Sequence, residues 1–137
     1  MKLVAAFGLA MAAAVVTLAG QTKTVWDGVY SDAQAGRGKK GYITHCAECH
    51  NEGLQGGDLA PALKGDDFLL QWNDKSMAEL FERTQKTMPQ SNPGGLMPQE
   101  TADILAYVLQ VNRMPAGQAD LPSDAAALKP ITITKGK

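Results

Sequence analysis

Cys46-Ala47-Glu48-Cys49-His50 constrains this chain more than any other stretch. Its pattern, C-x-x-C-H, is the attachment site of a c-type haem. Two thiols at that spacing lie on one helical turn, and each can add to a porphyrin vinyl group to form a thioether. The histidine that follows is then held beneath the ring, where a neutral imidazole nitrogen can bind iron. Cys46 and Cys49 are the only two cysteines in 137 residues, so no thiol is left over. The expectation is one haem c per chain, held covalently by Cys46 and Cys49, with His50 as proximal ligand.

Other uses of the thiols fit less well. A thioredoxin-like dithiol sits in a βαβ context, and no Val/Ile-rich strand run accompanies this one. Half a zinc site needs two more ligands, which His45 and His50 could supply only on a cramped loop. A plain disulfide remains open for an exported chain. His45 is a poor axial ligand, because it adjoins Cys46 and would have to unwind the helix to reach the iron.

Residues 1–20 read as a targeting segment. Lys2 supplies the positive start, and Leu3 to Leu18 is apolar apart from Gly8 and Thr17. Cleavage is expected after Ala19 or Gly20, with no lipobox cysteine nearby. An uncleaved anchor is the other reading, since the run has about the length of a short span. Export suits the haem motif and places the protein in a periplasm. Removing Lys2 from the 13 basic residues leaves 12 against 14 acidic, a net charge of −2. Nucleic-acid binding has no electrostatic support in that balance.

The rest is short enough for one domain, and its 14 Gly and 7 Pro suggest loops around a few helices. A core this small needs a staple, which a buried haem supplies. Gln21 to Tyr30 reads as an extended lead-in, with Trp26 and Tyr30 on the surface or capping the next element. Ser31 and Gln34 form an S-x-x-Q capping box that starts a helix running towards Cys46. Gly36, Gly38 and Gly41 each weaken that helix by up to about 1 kcal/mol. Gly38 and Tyr42 share a face, which is expected to cross another helix. The glycine-rich stretch Asn51 to Asp58 reads as a loop folding beneath the haem. A carbonyl near Pro61 is expected to accept the other ring N–H of His50.

Phe68, Leu69, Leu70 and Trp72 read as core. The indole N–H of Trp72 needs a partner when buried, and a haem propionate would serve. Ser76 and Glu79 form an S-x-x-E box opening a helix to about Thr87, ended by Met88-Pro89. A last helix begins near Pro98, carries Thr101, Ile104, Leu105 and Val108 on one face, and is stopped by Pro115-Ala116-Gly117. Residues 118–137 form a tail that wraps the domain or is mobile, with charges expected only to mark solvated surface. Of the six methionines, Met1 and Met11 fall in the targeting segment, Met77 reads as core, and Met114 packs or lies exposed. Met88 and Met97, each before a proline, remain as candidates for the second axial position.

The chain resembles class I cytochromes c of bacterial periplasms over essentially the whole mature sequence, with residues 31–117 as the cytochrome c domain. Gly38 and Tyr42 precede C-x-x-C-H at the family spacing, Pro61 falls at the family's carbonyl acceptor, and Ile104 and Tyr107 fall where the family packs against the glycine. Met88-Pro89, Pro93-Gly94-Gly95-Leu96 and Asp103-Ile104-Leu105-Ala106-Tyr107 are similar to a pattern in cytochrome domains associated with dehydrogenases. The resemblance implies an all-α cytochrome c fold of three to five helices around one haem. It implies Met88, rather than Met97, as distal ligand. The expectation is a monomeric electron carrier rather than an enzyme, meeting partners transiently, with a periplasmic dehydrogenase or a terminal oxidase or reductase as the expected partner. The rivals are an obligate haem subunit of a larger dehydrogenase, and a sensor or peroxidase-like protein with an open iron position.

Overall fold

The structure is a computed structural model that describes residues 21–136; the targeting segment, with its cleavage and anchor readings, lies outside the described residues. Ser31 caps the first helix, α1 (Asp32–His45), its side chain accepting from the Gln34 amide at 3.1 Å. The reciprocal half of the expected box is missing. The Gln34 side chain instead clasps the tail, its Nε2 donating to the Leu121 carbonyl at 3.0 Å and its Oε1 accepting from the Leu121 amide at 2.6 Å. A single-turn helix, α2 (Ala47–His50), follows directly and carries the motif.

Gly65 to Trp72 form a helix, α3 (Gly65–Trp72), with Asp66 and Asp67 at its positive end. Phe68 and Trp72 are buried there, but Leu70 is 67% exposed, which corrects its reading as core. Both halves of the second capping box are present in α4 (Met77–Thr87). The long helix α5 (Pro98–Val111) has proline in its first turn. It stops at Val111, before the Pro115 expected to end it. Asn112 closes it, its side chain donating to the carbonyls of Leu63 and Val108.

The organising contact is the crossing of α1 and α5. A Cβ built on Gly38 would lie 1.7 Å from the Asp103 carbonyl oxygen, so only glycine lets the two backbones meet. One turn on, the rings of Tyr42 and Tyr107 pack with centroids 5.5 Å apart. Arg37 flanks the crossing with a bidentate pair to Asp103 at 2.9 and 3.1 Å. It also reaches Asp120 at 2.7 Å. The Ser31 hydroxyl and the Arg37 guanidinium hold the Asp120 carboxyl below its ordinary range. This charge in the tail is therefore paired, contrary to the expectation of solvated charges only.

The lead-in and the tail are one structure. Strand β1 (Lys23–Thr24) pairs in parallel with β2 (Ile131–Thr132). A short helix, α6 (Ala125–Leu128), capped by Asp124, packs the tail onto α4. Tyr30 is buried and donates to the Met114 carbonyl at 2.6 Å, and Met114 is buried with it. Trp26, half-buried, donates to the Thr134 carbonyl at 2.9 Å. Tyr30 is thus no surface residue. Leu121, Leu128, Ile131 and Ile133 are buried, each contributing roughly 1.5–3 kcal/mol of burial. The tail wraps the domain.

Candidate haem site

The motif's cysteines come off the end of α1. The Cys46 amide donates to Tyr42 O at 2.8 Å, prolonging the α1 ladder, and the His50 amide donates to Cys46 O at 2.9 Å. Cys46, Cys49 and His50 therefore lie on consecutive turns of helical chain. Both cysteines are free thiols, and Cys49 is exposed. Burial pushes the Cys46 thiol up to about 11, with Glu100 and Cys49 adding to the effect. Dithiol oxidoreductases need a thiol shifted the other way.

His50 is buried, with Nδ1 2.8 Å from the Pro61 carbonyl oxygen. A carbonyl can only accept, so Nδ1 carries the proton and Nε2 keeps its lone pair for a metal. The loop after His50 is built to deliver that carbonyl. Tyr42 Oη donates to Asn51 O at 2.6 Å, and Asn51 Nδ2 donates to Gly56 O at 2.6 Å. Burial raises the Tyr42 phenol, so it stays a donor. Gly56 sits at φ +69°, and a Cβ there would come within 2.5 Å of the Pro61 carbonyl carbon. The glycine lets the loop fold back on itself.

A cavity of about 260 Å³ opens over this loop. Cys46, Cys49, His50 and Pro61 line it, and so do Phe68 and Trp72 from α3, Leu80 and Arg83 from α4, and Leu105 and Val108 from α5. Met88, immediately after α4, lines it too and is half-buried. Met97 does not. It is the N-cap residue of α5, is 71% exposed, and lines a separate surface depression of about 590 Å³ between α1 and α5. That larger depression is open to solvent and holds neither cysteine. Lys75 Nζ lies 5.1 Å from the centroid of the Trp72 ring. His45 pairs with Glu100 at 3.0 Å.

The donor set fits haem c. Two free thiols, an imidazole with one nitrogen committed to a carbonyl, and a thioether share one mostly apolar cavity. Among the described residues no cluster of three or more His, Cys, Asp or Glu could hold a bare metal ion, which removes the zinc reading there. Sequence reasoning missed Arg83, which lines the cavity. It lies on the polar side of an amphipathic helix, where a long side chain looks solvated until the neighbouring loop is placed.

Residues 33–108 match the family described as Cytochrome C oxidase, cbb3-type, subunit III. The chain belongs to that family. It is a cytochrome c domain, mostly helical, of a kind that typically carries electrons through haem c. The match spans α1 to α5 and leaves out the lead-in and the tail. No curated protein and no solved structure matches the chain. Among the described residues no helix of this cytochrome c domain is long and apolar enough to cross a membrane.

Proposed function

We propose that this cytochrome c domain is a periplasmic one-electron carrier, with haem c joined through Cys46 and Cys49 and ligated by His50 and Met88. The observation that carries the reading is the single cavity shared by those four side chains. Bound there, haem c supplies a ferric/ferrous couple, and Met/His ligation raises its potential. The chain's own groups do the rest. Pro61 fixes the tautomer and the orientation of His50. Phe68, Leu80, Leu105 and Val108 exclude water, which keeps the surrounding dielectric low and limits reorganisation. Trp72 offers an indole N–H to a propionate. Cys49, being exposed, marks the edge where electrons would enter and leave.

Partners of such a carrier would bind transiently through a small interface, under about 1,200 Å². A periplasmic dehydrogenase would donate, and a terminal oxidase or reductase would accept. The family description names an oxidase subunit, which favours a second reading as the haem subunit of a larger complex; co-purification with a catalytic chain would establish it. The test of the main reading is carbon monoxide added to the reduced holoprotein. Two protein ligands leave no open position, so the spectrum should stay unchanged over minutes. A carbon-monoxide adduct forming at once would replace electron transfer with a sensor or peroxidase-like role.

A further inference from the structure

The loop from Met88 to Met97 contains only local turns of its own, Asn92 N–H to Pro89 O at 2.9 Å and Gly95 N–H to Asn92 O at 3.0 Å. Its two ends are joined by one side chain, Gln85, in the last turn of α4. Gln85 Nε2 donates to the Leu96 carbonyl at 2.6 Å. Gln85 Oε1 accepts from the Thr101 hydroxyl at 2.8 Å. Thr101 is fully buried in the first turn of α5, and Leu96 is buried beside it. On the other side, the Met88 amide donates to Thr84 O at 2.9 Å, so Met88 continues the α4 ladder. Gln85 therefore fixes the start of the loop, its end, and α5 against one another.

We propose that Gln85 is a positioning residue for the distal ligand: its amide clasps the loop shut, keeping Met88 in the cavity and Met97 outside it. The proposal rests on Met88 being that ligand. For the methionine to leave the iron, the loop must move, and both Gln85 hydrogen bonds resist that movement. The tie acts on the opening equilibrium of the loop rather than on the helices.

The test is the rate at which imidazole displaces the distal ligand in oxidised holoprotein, followed by stopped flow well below the melting temperature. Gln85→Leu, which removes both bonds, should exchange about tenfold faster than wild type, as expected for two hydrogen bonds of ordinary net strength. Thr101→Val removes one bond at nearly constant shape and should give about a threefold rise. Glu82→Gln breaks only an exposed pair with Lys86 and should leave the rate alone. A merely structural role would lower the melting temperature of Gln85→Leu while leaving exchange within twofold of wild type, and that result overturns the proposal. If Gln85→Leu does not mature, an unchanged rate in Thr101→Val overturns it equally. Met88→Ala separates the two levels. If that variant keeps its methionine-iron absorption, the ligand reading falls and the tie falls with it. If it loses that absorption while Gln85→Leu exchanges normally, only the tie falls.

Discussion

Gly38→Ala should destabilise the domain by at least about 3 kcal/mol, a large share of the roughly 5–15 kcal/mol that holds a domain of this size together. The added methyl would stand 1.7 Å from the Asp103 carbonyl oxygen and 2.4 Å from its carbon. Both are backbone atoms of a buried helix, so no side chain can swing aside. Relief requires α1 and α5 to separate, which opens the Tyr42–Tyr107 contact and strains the Arg37–Asp103 pair. Gly36→Ala is the matched control. It lies two residues away on the same helix, and nothing stands within 4 Å of its Cβ position. Alanine there should raise stability by about 0.5–1 kcal/mol through helix propensity alone. Urea unfolding of the two holoproteins measures both values. Equal effects would mean that α1 and α5 do not cross at Gly38.

His50→Ala should lower the yield of covalent haem protein about tenfold or more, since loss of a mere supporting group around a metal ligand already costs 10–100-fold. On the proposed ligation, the substitution removes the proximal ligand. It also leaves the Pro61 carbonyl without the N–H that it accepts, and cuts a buried ring out of the floor of the cavity. The protein that does mature should be high-spin, because only one protein ligand remains. Haem absorbance per chain after denaturation, with the spectrum of the folded fraction, checks this. A normal yield of low-spin protein would contradict His50 as ligand.

Local chemistry was legible in the sequence and distant pairing was not. Ser76 and Glu79 announced their box because both partners lie within one turn. Gly38 and Tyr42 announced the crossing because a glycine in a helix needs a close neighbour. Gln34 carried the same signal as Glu79, but its amide can donate as well as accept, and the Leu121 backbone 87 residues away satisfies both ends. No local pattern encodes that choice. Tyr30 reads as a surface residue for the same reason, since the Met114 carbonyl that holds its hydroxyl lies 84 residues away. Ile131-Thr132-Ile133-Thr134 alternates as a β-like fragment and holds β2, whereas Lys23 and Thr24 alone carry too little pattern to announce β1. At the site, the motif named Cys46, Cys49 and His50 directly, and the hydrogen bond of His50 falls on the Pro61 carbonyl that the family resemblance implies. Met88 and Met97 both precede proline, so composition alone left them equivalent. Their surroundings differ: one lines the cavity and the other begins α5 in solvent.

The most direct test is the visible spectrum of oxidised protein matured in a periplasm, wild type beside Met88→Ala. Ligation by His50 and Met88 predicts a low-spin c-type spectrum with the weak far-red sulfur-to-iron band in wild type, and loss of that band in the variant. Survival of the band in Met88→Ala would assign the ligand to Met97 and contradict the account of the loop. A high-spin wild type would contradict electron transfer through a closed iron site altogether.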